Sequence, residues 1–154
     1  MSPDHTGQTK RKENVMTKFS LNDGESLFME GYTVYMMSAM NVYQGDAYLT
    51  SERFVYCKKS DLIFYLLLGP LFGHLVKGKS IVFQFSLTEL KSIHEEKHGL
   101  GKIFILTLCN GNQYAIQFGT RREKWVNAIK QAIQNIEPNI KIKVSKDGLD
   151  LTVR

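Results

Sequence analysis

Residues 45–56 read GDAYLTSERFVY. Two apolar arms, Ala47 to Leu49 and Phe54 to Tyr56, flank the polar stretch Thr50-Ser51-Glu52-Arg53. Aromatic and apolar residues on either side of a short polar stretch predict a strand, a tight turn and a returning strand. Antiparallel β structure is therefore the starting point for the chain.

Working outward, residues 25–40 (ESLFMEGYTVYMMSAM) predict one or two strands with a kink at Gly31. Ile81 to Leu87 and Ile103 to Cys109 read as further strands, and Leu90 to His98 as a strand or as one helical turn and a loop. Asn110-Gly111 predicts a type I′ hairpin turn, because both residues tolerate positive φ. Gln113 to Phe118 is the returning strand. A helix is expected from Thr120, with Thr120 and Glu123 forming a capping box. Its apolar stripe is Trp125, Ala128, Ile129, Ala132, Ile133 and Ile136, and Pro138 stops it. Beyond it, Ile140 to Val144 and Leu149 to Val153 alternate around Lys146-Asp147-Gly148. That pattern fits a short hairpin or a solvated tail.

At 154 residues, 43% hydrophobic and 23% charged, the composition is that of one soluble domain with tails. We expect residues 1–18 to be a disordered tail, 19–138 the domain and 139–154 an extension. The net charge of +5 sits mostly at the ends: residues 19–138 carry 12 basic and 11 acidic side chains. A broad nucleic-acid-binding face is not expected from so balanced a core. Cys57 and Cys109 lie in apolar runs and read as reduced, small core residues, in keeping with a cytoplasmic protein. The N-terminus lacks the apolar core of a signal peptide.

Several short strands followed by one amphipathic helix is the element order of a pleckstrin-homology-like domain. Gly45, Tyr48-Leu49-Thr50, Arg53 and Phe54-Val55-Tyr56 resemble the GRAM-type pattern of a glycine, a Leu-Thr pair, an arginine and an apolar strand. FSLTELKSI (85–93), IFILTLCNGNQYAIQF (103–118) and the Trp125 helix are similar to the family's later elements. The resemblance spans roughly residues 22–136. It implies an α+β fold: an antiparallel β-barrel or sandwich of about seven strands capped by one C-terminal α-helix. It also implies a non-catalytic module that attaches to a membrane surface or phospholipid. The apolar run after Lys59 departs from the family pattern.

That run, LIFYLLLGPLFGHLV (62–76), has 15 residues, short of the roughly 20 of a membrane-spanning helix. Gly69-Pro70 and Gly73 interrupt it. Three readings stay open: a strand packed into the core, a protein or oligomer contact, or a segment dipping into a bilayer interface. In the last, Leu66, Leu67, Leu68, Leu71 and Phe72 insert, while Lys58, Lys59, Lys77 and Lys79 meet anionic head groups. The partner is then an anionic membrane lipid or a protein, and the chain is cytoplasmic or peripheral at the membrane.

Sites of other kinds are weaker. His94-Glu95-Glu96-Lys97-His98 is a literal HExxH, which on a helix binds zinc for hydrolysis. Its middle pair is Glu-Lys, Gly99 follows at once and no third ligand stands out. No metal or other cofactor is expected. Arg53 and the pair Arg121-Arg122 are phosphate candidates, the latter at a helix start. Against this, they read as a turn residue and solvated first-turn charges. Trp125 reads as a core anchor. No phosphate loop, nucleophile elbow or paired-Cys motif is present, so no enzyme is expected.

Overall fold

The computed structural model describes residues 21–59, 81–146 and 150–153. In chain order the strands are β1 (Leu27–Met36), β2 (Val42–Thr50), β3 (Arg53–Lys58), β4 (Ile81–Ser86), β5 (Leu90–His98), β6 (Gly101–Leu108), β7 (Gln113–Gln117), β8 (Lys143–Val144) and β9 (Leu151–Thr152). One α-helix, α1 (Arg122–Ile136), follows β7. The strands form a single antiparallel sheet in the order β4-β3-β2-β1-β7-β6-β5-β9-β8. Two expectations are corrected. Among the described residues there are nine strands rather than seven, and β4 does not bond to β8, so the sheet stays unclosed. The two extra strands are the terminal hairpin. β9 adds to β5 through Ser92↔Thr152 and Ile93↔Leu151, and Leu151 and Val153 are buried in the core.

The opening sequence forms the hairpin it predicts, with only Ser51 and Glu52 between β2 and β3. Alternation along these strands assigns the two faces. Ala47, Leu49, Phe54 and Tyr56 join the main core, while Tyr48, Val55 and Cys57 turn the other way and form a small cluster with Leu27. The main core is mostly aliphatic, with an aromatic group around Phe54, Phe118 and Trp125, and lies under α1, which buries Trp125, Val126, Ile129, Ala132 and Ile133. Trp125 stacks on Phe118 (5.1 Å between centroids, 14° between planes) and meets the Phe54 ring edge-on at 6.0 Å.

Gly45 is required by close approach. A Cβ there would lie 2.2 Å from the Cys57 carbonyl oxygen and 2.8 Å from Tyr56 Oη. That hydroxyl donates to the Tyr43 carbonyl at 2.6 Å and pins the ring across the strand. Gly45→Ala is therefore expected to cost about 2 kcal/mol through forced displacement. Gly31→Ala is the control, because its Cβ meets only Trp125 at an ordinary 3.5 Å. Urea unfolding of both variants checks this; equal midpoints would refute the crowding at Gly45.

Several local expectations are also corrected. β1 runs through Gly31 without a break, and its register shift lies between Leu27 and Met29. Thr120 does not cap the helix. Gly119–Arg121 is a 3₁₀ turn, and Arg121, the residue before α1, makes no side-chain capping bond. A capping box does form elsewhere, with Ser86 and Glu89 closing a 3₁₀ turn over Leu87–Glu89. At Asn110-Gly111 only Gly111 has positive φ (+89°), so the turn is not type I′. The Gly111 N–H donates to the Leu108 carbonyl at 2.9 Å, making a three-residue loop with glycine in the left-handed position. Cys57 is buried, and burial pushes its thiol up to about 11, which leaves it neutral and unreactive. Cys109 is exposed, contrary to a core role, because β6 ends one residue earlier.

Candidate functional site

The strand registers bring three connections to one end of the sheet. Met36 pairs with Val42 on β2 and with Ala115 on β7. The β1–β2 loop (37–41) and the β6–β7 turn (109–112) therefore both extend past Met36. The Lys59 N–H donates to the Gln44 carbonyl at 2.9 Å, and Cys57 pairs with Ile81. The chain thus leaves β3 and re-enters β4 at this same end.

The β1–β2 loop is closed by its own hydrogen bonds. Met37 N–H donates to the Asn41 carbonyl at 2.9 Å, and Asn41 N–H to Ser38 Oγ at 3.1 Å. This closure presents Met40, 93% exposed, with Met37 and Val42 also exposed. Beside the loop, Lys58 Nζ sits 4.7 Å above the Tyr43 ring and Lys59 Nζ 5.7 Å from the Tyr32 ring. The ring faces attract the ammonium groups; Tyr43 lies next to the loop, whereas Tyr32 pairs with Asp46 further along the sheet. Among the described residues neither lysine forms an ion pair.

Of the sequence-derived site, Lys58 and Lys59 are the members among the described residues, and their ammonium groups lie on opposite faces of the sheet, Lys58 with the core-side Tyr43 and Lys59 with Tyr32. Leu66, Leu67, Leu68, Leu71, Phe72, Lys77 and Lys79 lie outside the described residues. The sequence reading missed Met37, Met40 and the two supporting tyrosines. The run Met36-Met37-Ser38-Ala39-Met40 was the available signal. Methionine carries no turn signature, so the run reads as a continuation of the strand.

Arg53 is not an anion site. It donates through Nε and Nη2 to the two carboxylate oxygens of Glu25 at 2.8 and 2.9 Å, and through Nη1 to Gln84 Oε1 at 2.7 Å. The Glu25 side chain is fully buried. It also accepts from the Thr50 hydroxyl, and from the Asn22 N–H at 2.7 Å. Burial alone would raise its pKa; the Arg53, Thr50 and Asn22 hydrogen bonds outweigh this and hold it below the ordinary 4.5. The network ties the chain before β1 to the β2–β3 turn.

The HExxH residues lie on β5, a strand, not a helix. His94 and His98 are then about 13 Å apart along the strand, too far to share a metal. His94 Nδ1 lies 3.3 Å from Asp150 Oδ2. Glu95 is engaged by Lys102, and by Arg122 Nη1 at 3.5 Å. Among the described residues no group of three or more His, Cys, Asp or Glu side chains is placed to hold a metal ion. Arg121 is exposed beside the helix start, and Arg122 turns to β5. The described helix is not long and apolar enough to cross a membrane.

An unclosed antiparallel sheet with one C-terminal helix across its core defines a pleckstrin-homology-like fold. Solved structures bear this out. The Vps36 N-terminal PH domain matches with a TM-score of 0.54 at 16% identity, over 78% of this chain and 87% of that one. The C-terminal domain of an unknown protein from Leishmania infantum matches with a TM-score of 0.54 at 12% identity, over 72% and 86%. A structure of inhibited Vav1 matches with a TM-score of 0.52 at 17% identity, over 78% of this chain and 23% of the Vav1 chain. No family model matches the sequence, and the comparison with curated proteins returns no match.

Proposed function

We propose that the chain is a non-catalytic, GRAM-type module that attaches to anionic phospholipid at a membrane surface. The observation that carries this reading is the exposure of Met37, Met40 and Val42 at the end of the sheet where Lys58 and Lys59 leave β3, neither lysine forming an ion pair among the described residues. Apolar side chains enter the interfacial layer, while lysines stay with the head groups. Each basic residue near an anionic surface contributes about 1 kcal/mol. The sequence run 62–76 follows Lys59 after Ser60 and Asp61, so Leu66, Leu67, Leu68, Leu71 and Phe72 belong to the proposed insertion, and Lys77 and Lys79 to the proposed charge. This makes the protein peripheral to a membrane from the cytoplasmic side.

Co-sedimentation with phosphatidylserine vesicles tests it. The protein should pellet with them at low salt and be released as salt rises. Lys58→Gln with Lys59→Gln should weaken binding about 30-fold, the equivalent of two lost charges. Failure to bind anionic vesicles at low salt would sink the lipid reading. Capture of a protein through the same end would then favour an interaction module.

A further inference from the structure

The hairpin of β2 and β3 is buried on both faces. Ala47, Leu49, Phe54 and Tyr56 look toward α1, whose buried residues all belong to that core. Tyr48, Val55 and Cys57 point the other way, yet they are only 2%, 0% and 1% exposed. Their neighbours in the sheet do not account for this. Glu30 pairs with Tyr48 and Gln84 with Val55, and both flanking side chains are exposed. Leu27 is the one further described hydrophobic residue packed on the cluster. Burial also lifts the Tyr48 hydroxyl well above its ordinary pKa of 10. A cover therefore lies on the side of the sheet that α1 leaves bare.

We propose that residues 15–20, Val-Met-Thr-Lys-Phe-Ser, dock on this face, with the Phe19 ring packed over Tyr48 and Val55. The place where the described chain begins selects this occupant. By strand alternation Thr50 and Arg53 lie on the same face, one pleat from Tyr48 and Val55. Glu25 is anchored there by both, and Asn22 is tied to Glu25 and to Glu52. The chain before Leu21 thus sets out from beside the patch. Along the strands the Tyr48–Val55 row is about 7 Å from Thr50 and Arg53, and the Asp46–Cys57 row about 14 Å. Six extended residues span up to about 20 Å. Charge agrees: Lys18 is the segment's only charged residue, and these two rows carry the carboxylates of Glu30 and Asp46. The rival occupant is the apolar run 62–76, which follows Lys59 at the far end of the face.

Cys57 reports on the cover. The full chain carrying Cys109→Ser keeps Cys57 as its one thiol. Phe19→Ser should speed the reaction of that thiol with a maleimide at least about tenfold, the scale of one lost phenylalanine contact. The amides of residues 47–49 and 54–56 should keep their exchange rates. In the wild-type chain, nuclear Overhauser contacts should join the Phe19 ring to the Val55 methyls. If Phe19→Ser fails to fold, or quickens the sheet amides as well, those contacts decide. An unchanged thiol rate in a folded Phe19→Ser chain, or the absence of those contacts, overturns the proposal. So does a thiol exposed by Leu67→Asp and not by Phe19→Ser, which assigns the cover to the run 62–76.

Discussion

Arg53→Met is expected to lower stability at neutral pH by about 3 kcal/mol, the toll of leaving a buried carboxylate without its cation. Arg53 grips both oxygens of Glu25, whose side chain is wholly buried. Methionine fills much of the volume but donates nothing. Lysine would restore charge without the two-pronged geometry, so Arg53→Lys should fall between. The pH dependence separates this from simple packing loss. Glu25 titrates below its ordinary 4.5 in the folded protein. Its contribution is thus complete above about pH 4.5 and fades as pH falls through the lower folded value. In Arg53→Met the stranded carboxylate prefers to be protonated, so acid relieves the variant. The gap between wild type and variant should narrow on acidification. Urea unfolding at neutral pH and near pH 4 measures it. A gap that is small at neutral pH, or that ignores pH, would remove the network from the account.

Trp125→Ala should cost about 3–5 kcal/mol, the range for emptying a large buried aromatic site. Trp125 lies flat on Phe118, touches Phe54 edge-on and approaches Gly31, so one side chain joins α1 to β1, β3 and the end of β7. The cavity cannot easily collapse, because the sheet beneath is hydrogen-bonded and the neighbouring rings are rigid. Trp125→Phe should recover a large part of the loss. Equilibrium unfolding followed by far-UV circular dichroism tests both variants. An alanine variant within about 1 kcal/mol of wild type would show that the helix is held from elsewhere.

What the sequence disclosed was local or periodic. The hairpin around Ser51-Glu52, the helix stripe at Trp125, Ile129, Ala132 and Ile133 and the stop before Pro138 were legible, because turn chemistry and spacing act over a few residues; Ile136, expected on the stripe, is exposed, and Val126, outside it, is buried. Where two local patterns competed, the outcome depended on the rest of the fold. Thr120 and Glu123 have capping-box spacing, yet Gly119 enters the helix through a 3₁₀ turn, and the box closes at Ser86 and Glu89 instead. His94 to His98 has a zinc helix's spacing, but pairing with β6 holds it extended. The Glu25–Arg53 ion pair joins residues 28 positions apart, and no periodicity announces such a contact. The exposed methionines at 37 and 40 were hidden for a related reason. Whether an apolar residue is buried depends on where the strand ends, and here β1 ends at Met36.

The terminal hairpin bears on stoichiometry. A sheet with two open sides can recruit subunits without limit, as fibrils do. In this protein β9 pairs with β5 at Ser92 and Ile93, the charged Glu95-Glu96-Lys97 lie beyond it on β5, and the two-residue β8, with its lysine, finishes that flank. On the opposite flank β4 is blunted by other means: the Ser86 N–H is taken by Glu89 Oε2 at 3.0 Å, and a register shift interrupts the strand between Ile81 and Phe83. The hairpin works as a chain terminator: it keeps its flank of the sheet from becoming the seed of a polymer.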